Sequence, residues 1–174
     1  MCFVFSLKRI AAFLIDTVLV FVMTLPLDLL VQRALPNPQQ TAFEELISSV
    51  IGVYIVAWLY FGLSDHSAVG ATPGKRLLRL RVTAEGHGVV SLPRALARTV
   101  LKLLPFELSH IFWLALEGVV GRDVQNAGLI AANLLLVVYL AVLLLFRGRR
   151  SVHDLVVETQ VVPAHGKKPS AKPV

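Results

Sequence analysis

The sequence predicts an all-α membrane protein: a four-helix transmembrane bundle with a small cytoplasmic β-hairpin element and an interfacial amphipathic helix. Three observations carry that expectation. Of the 174 residues, 56% are hydrophobic and the mean hydropathy is +0.71, above the roughly 45–50% apolar share of a soluble domain. The excess is gathered into four runs about as long as a bilayer is thick. Lys and Arg crowd into alternate connections between those runs, the distribution that orients membrane helices.

The runs cover residues 10–29, 46–63, 103–120 and 129–146. Eighteen helical residues rise about 27 Å, close to the ~30 Å hydrocarbon layer. The first follows Lys8 and Arg9 and resembles a signal peptide. It is long for an h-region, and Thr24-Leu-Pro-Leu-Asp28 offers no small-x-small cleavage site, so an uncleaved first span is expected. The third is polar for a span, with Pro105, Glu107, His110 and Glu117, and a re-entrant or tilted segment is the alternative there. The connection around Pro36-Asn-Pro38 reads as a plain connector.

Basic residues set the orientation. Lys8 and Arg9 precede the first run; Lys75, Arg76, Arg79, Arg81, Arg94, Arg98 and Lys102 lie between the second and third; Arg147, Arg149, Arg150, Lys167 and Lys168 follow the fourth. The other two connections hold only Arg33 and Arg122, with Glu44, Glu45 and Asp123 nearby. Both termini and the 64–102 loop are therefore expected in the cytoplasm, and an even number of crossings agrees.

That loop has its own pattern. Arg76 to Thr83 is strand-like, Ala84-Glu-Gly-His-Gly88 is a turn, and Val89-Val90 begins a return strand, which predicts a surface hairpin. Ser91 caps a helix with Pro93 in its first turn. Arg94, Arg98 and Lys102 recur every four residues against a face of Leu92, Leu96 and Val100. The result is either an amphipathic helix on an anionic leaflet or the extension of the third span. Residues 156–162 are strand-like and able to add to the hairpin, and 163–174 are Pro/Lys-rich and expected to be disordered.

The net charge of +6 is explained by these flanks, and no aromatic-basic pattern points to nucleic acid. The single Cys2 excludes an internal disulfide and a Cys-based metal cluster; palmitoylation is its one functional alternative. Thr72-Pro-Gly-Lys75 is not a phosphate loop, because its glycine and hydroxyl are misplaced for one. It reads as a tight turn that puts Lys75 at lipid headgroups. Without a nucleophile, metal cluster or nucleotide loop, no enzyme and no cofactor are expected.

Taken together, Lys8-Arg-Ile-Ala-Ala-Phe-Leu-Ile-Asp16, Ala71-Thr-Pro-Gly-Lys-Arg-Leu-Leu-Arg-Leu-Arg-Val82, Leu92-Pro-Arg-Ala-Leu-Ala-Arg98 and Arg149-Arg-Ser-Val-His-Asp-Leu-Val-Val-Glu-Thr159 resemble the RDD family of small bacterial membrane proteins. The resemblance runs from residue 8 to about 162, so that 1–162 is one membrane domain. It implies that Arg9 is the family's arginine, that Asp16 and Asp154 are its two aspartates, that the protein sits in the inner (plasma) membrane, and that its role is transport, with cation/proton exchange suggested for some members.

Asp16 is the residue most in need of explanation, because a carboxylate near the centre of a membrane helix costs roughly 2.5–3.5 kcal/mol. One reading has it hydrogen-bond a polar neighbour such as Asn133, Ser48 or Ser49. Another has it handle an ion or proton, and a third pairs it with Lys75, Arg98 or Lys102. Arg9 lies two helical turns away, about 10 Å, and is expected to pair with Asp154 if the first and last helices are neighbours. Glu107 and His110 share a helix face and are candidates for a proton relay; the alternative is an interfacial Glu107 and a small polar pocket at His110. Lys75, Arg76, Arg94, Arg98 and Lys102 are expected to meet anionic headgroups. Two functions follow as expectations. The first is a transport component that uses Asp16, acting as a homo-oligomer because four helices are few for alternating access. Its rival is a non-catalytic accessory or assembly protein that binds anionic lipid or a partner membrane protein.

Overall fold

The computed structural model describes residues 2–34, 42–86, 88–115 and 120–164. It is mostly helical, with one small sheet. In chain order the elements are α1 (Cys2–Ala34), α2 (Ala42–His66), α3 (Pro73–Leu77), β1 (Leu80–Ala84), α4 (Leu92–His110), α5 (Arg122–Leu145), α6 (Val152–Val156) and β2 (Thr159–Pro163). Helix α4 runs on into π-helical turns, Ile111–Ala115.

The apolar runs underestimate the helices. Helix α1 starts at Cys2 instead of residue 10, and α5 at Arg122 instead of 129, because a helix carries polar turns past its greasy core wherever its ends meet water or partners. Two stretches are long and apolar enough to cross a membrane by length and composition, Phe3–Leu27 and Arg122–Leu145. The apolar part of α2, Val50–His66, is shorter. The expected interfacial helix and the start of the third span are one element: α4 runs unbroken from Leu92 through Pro105 to His110. The proline has no N–H to give the carbonyl of Leu101, and the hydroxyl of Tyr139 on α5 donates to that carbonyl at 2.9 Å.

The distribution of side chains is inverted relative to a soluble domain. Leu14, Val18, Phe21 and Val22 on α1, and Ile130, Leu134 and Val137 on α5, are exposed. Arg9, Asp16, Asp65, Lys75, Arg98 and Asp154 are buried. Apolar surface on this scale, around an interior that holds these charges, belongs in contact with lipid.

The expected hairpin has a different partner. Strand β1 pairs antiparallel with β2, in the register Leu80↔Pro163, Val82↔Val161 and Ala84↔Thr159. The turn at 84–88 does close, with the amide of Ala84 donating to the carbonyl of Gly88 at 3.1 Å. Beyond it the chain has only Val89 and Val90 before Ser91 opens α4, too little for a strand. Val90 is instead buried with Leu80, Val82 and Val161 against Ala12 of α1 and Ala95 of α4. A second cluster, Val20, Ala57, Phe61 and Leu103, with Phe13 packed on it, joins α1, α2 and α4.

These contacts gather the start of α1, the 64–102 segment and the chain after α5 at one end of the molecule. The turn after α5 shows how closely. Arg147 and Gly148 both have positive φ, 55° and 79°. The amide of Gly148 donates to Leu143 at 2.7 Å, and a Cβ on Gly148 would lie 2.8 Å from the amide of Ser6. Glycine is needed there for both reasons.

Candidate functional site

The site is a chain of alternating charges at that end. Arg9 of α1 donates to Asp154 of α6, which also takes the Nε of Arg98 at 2.9 Å. Arg98 of α4 reaches on to Asp65 at the end of α2, and Asp65 accepts from the Nζ of Lys75 of α3 at 2.5 Å. The sequence Arg9–Asp154–Arg98–Asp65–Lys75 thus ties together five helices, with Arg98 1% exposed and both aspartates fully buried. Charges so buried are tolerable only because each meets a partner of opposite sign.

Local structure aims each group. Asp154 is the third residue of α6, where it accepts the amide of Ser151 at 2.9 Å and the hydroxyl of Thr159 at 3.1 Å. An acidic residue in a first turn suits the free N–H groups there. Arg9 also donates to the carbonyl of Gly148 at 3.1 Å and lies 3.1 Å from Nε2 of His153. The Arg9–Asp154 pair is thus present, as helix adjacency required.

Asp16 is held separately. Its carboxylate is fully buried. It accepts from the hydroxyl of Tyr60 at 2.7 Å, from the hydroxyl of Thr72, and from the amide of Gly74 at 2.8 Å. Its partners are therefore the Thr72-Pro-Gly turn and α2. Asn133 bonds the carbonyl of Leu129 in its own helix at 2.8 Å, and the side chains of Ser48 and Ser49 lie outside the described residues. Asp16 explains the turn: Thr72 caps α3, Pro73 opens it, and Gly74 lets the backbone reach α1. A Cβ on Gly74 would lie 2.5 Å from the carbonyl of Ala12 and 2.8 Å from the Asp16 carboxylate.

The five residues expected at headgroups divide. Arg76 and Arg94 are exposed; Arg94 pairs with Glu158 at 2.9 Å and Arg76 donates to the carbonyl of Ala71 at 3.1 Å. Lys75 and Arg98 are buried in the charge chain. The ammonium nitrogen of Lys102 is buried too, with no hydrogen-bond partner. It stands 3.0 Å from the ring centroid of Phe61, a cation–π contact. The 3.6-residue period explains the split. Each step of four rotates about 40° around the helix, so Arg94 points to solvent while Arg98 and Lys102 turn inward.

Glu107 and His110 do not bond each other. Glu107 accepts from the indole of Trp58 at 2.7 Å, and Nδ1 of His110 lies 2.7 Å from the hydroxyl of Tyr54. Each thus meets an aromatic of α2. Glu117 and residues 165–174 lie outside the described residues. Sequence reasoning missed Asp65. It follows the second apolar run between Ser64 and His66, where an acid looks like a solvated boundary residue. The only available signal was its isolation, since the basic loop beyond it has just one other acid, Glu85.

Burial shifts the titrations. Asp154 is opposed by desolvation, yet Arg9 and Arg98 hold its carboxyl well below the usual range. Burial pushes His153 well below its ordinary value, and Arg98 and Arg9 add to that, so its ring is neutral. Burial also lowers Lys75, with Asp65 opposing. Among the described residues no group of three or more His, Cys, Asp and Glu is placed to hold a metal ion.

No curated protein and no solved structure matches the chain. The family model described as "RDD family" matches residues 5–158, a span that contains Arg9, Asp16, Asp154 and the whole charge chain. With two apolar helices and an inverted exterior, this membrane-associated protein belongs to the RDD family.

Proposed function

We propose that the protein is a non-enzymatic accessory or assembly protein of the bacterial inner (plasma) membrane. Four crossings, with both termini and the 64–102 segment in the cytoplasm, best fit the positive flanks. The observation that carries the reading is the saturation of the carboxylates. Asp16, Asp65 and Asp154 are each occupied by two or more donors from other elements. An exchanger's carboxylate must release its partners each cycle. These groups fasten helices, and they hold one end of the bundle ready to meet anionic lipid or a partner membrane protein.

A second reading, cation/proton exchange at Asp16, has one observation in its favour: Asp16 contributes to the wall of a cavity of about 360 Å³. Reconstitution decides between the two. Proteoliposomes of the wild-type protein are expected to show no cation-dependent proton flux across a panel of monovalent and divalent cations. Flux that vanishes in Asp16→Asn, with insertion intact, would overturn the accessory reading.

A further inference from the structure

Beside the charge chain stands a further buried cation that, among the described residues, no carboxylate pairs. Arg9, Arg98 and Lys75 all have carboxylate partners, whereas the ammonium of Lys102 is buried with an aromatic ring and no hydrogen bond. Lys102 lines a cavity of about 360 Å³ between α1, α4 and α5, the volume of roughly a dozen waters. Arg9, Lys75 and Arg98 also line it, and among the described residues Asp16 is the one carboxylate that does. Asp16 is already occupied by three donors. Ser151 and His153 add polar groups, and most of the remaining wall is apolar, with Phe13 and Phe106 inside, and Leu14 and Leu140 on the lipid-facing sides of α1 and α5, where both are exposed.

A buried ammonium without an acceptor is costly, and an anion in the cavity would relieve it. We propose that this cavity binds the anionic head of an amphiphile, a phosphate or carboxylate, with Lys102 as its principal ligand. The acyl chain leaves between Leu14 and Leu140, because the cavity holds a head and its first methylenes but not a whole lipid. The site deepens the accessory reading, on which it rests, by naming a ligand class and placing it inside the bundle instead of on the basic surface.

The full chain, purified in a neutral detergent, is tested by thermal unfolding and native mass spectrometry. The probes are phosphatidylglycerol, phosphatidylcholine and inorganic phosphate. Phosphatidylglycerol is expected to raise the Tm and stay bound, and phosphatidylcholine to do neither. Lys102→Met is expected to weaken binding about tenfold or more, the loss of one charge-assisted hydrogen bond. Without lipid it should unfold no earlier than wild type, because it removes an unpaired buried charge. Arg94→Ala, on the surface, should bind as wild type does. Should Lys102→Met fail to fold, Leu140→Trp, at an exposed position, closes the same mouth and is expected to block binding.

Stabilisation by inorganic phosphate as strong as by the lipid would support the site with a free anion as its occupant. Equal lipid binding by wild type, Lys102→Met and Leu140→Trp would overturn the proposal. So would equal stabilisation by phosphatidylcholine. Neither result bears on the flux assay, so the two readings fail separately.

Discussion

Asp154 shares its carboxylate between two guanidinium groups, and Asp154→Asn leaves both underpaired. Removing one partner of a buried ion pair costs about 3–5 kcal/mol, so a clear fall in the Tm of the detergent-solubilised protein is expected. Because its folded pKa is depressed, the stability it contributes is complete above about pH 4, where the unfolded carboxylate is ionised. That contribution is lost only as pH falls through the lower folded value. His153 gives the dependence nearer neutrality. It stays neutral in the fold, while the unfolded chain binds a proton near pH 6.5. Stability therefore falls as pH drops below about 6.5, by up to about 1.4 kcal/mol per unit. His153→Gln should remove that slope, as Tm measured at about pH 7.5 and about pH 5.5 in the two proteins would show. Arg9, Asp16 and Asp154 were legible in the sequence because charges near apolar runs, or matching a family pattern, stand out. Asp65 was not, since nothing local separates a boundary acid from one gripped by Arg98 and Lys75, residues brought in from elsewhere in the chain.

Among the elements, α3 is short, and five residues do not make a helix stable alone. Its stability comes from Asp16, which accepts from Thr72 and Gly74, and from close approach to α1. Gly74→Ala puts a methyl against the Ala12 carbonyl, and overpacking of this kind costs about 1–3 kcal/mol. The measured outcome should be a lower Tm and faster proteolysis in the 64–102 segment, and an unchanged Tm would contradict the packing. The turn itself was readable from Thr-Pro-Gly; its target on α1 was not. The sheet teaches the same lesson. Strand character in 76–83 and 156–162 was visible in the sequence, and the second was able to add to the hairpin, but local spacing favoured Val89-Val90 as the direct partner. Burial of Val90 beside Val161 decided otherwise, and that is a tertiary fact. Lys75, Arg98 and Lys102 were read as facing headgroups for a related reason: a basic helical stripe gives no sign of carboxylates that arrive from distant segments.

For the whole molecule, the proposed four-crossing arrangement makes a geometric demand. Lys8 and Glu85 are exposed near the gathered end, and Arg122 is exposed at the start of α5. In a Cys2→Ser background, Lys8→Cys and Glu85→Cys should react with a membrane-impermeant maleimide only after the cells are opened, whereas Arg122→Cys should react in intact cells. Labelling of all three from one side would break the arrangement. The apolar runs were evident in the sequence, and of the polar interior only Asp16 and the Arg9–Asp154 pair were, because sequence shows which residues are charged but not which charges meet.

The pairing of β1 with β2, and of Arg9 with Asp154, also has a meaning in time. A ribosome delivers Arg9 first and Asp154 near the end, so throughout insertion the guanidinium groups of Arg9 and Arg98 have no Asp154 to neutralise them. Under the proposed topology Arg9 is then free to act as the orienting charge of the first crossing, while Arg98 already has Asp65 to meet. Once the segment that carries Asp154 docks, Arg9 is sealed away, and in the proposed topology an orienting charge becomes a fastening.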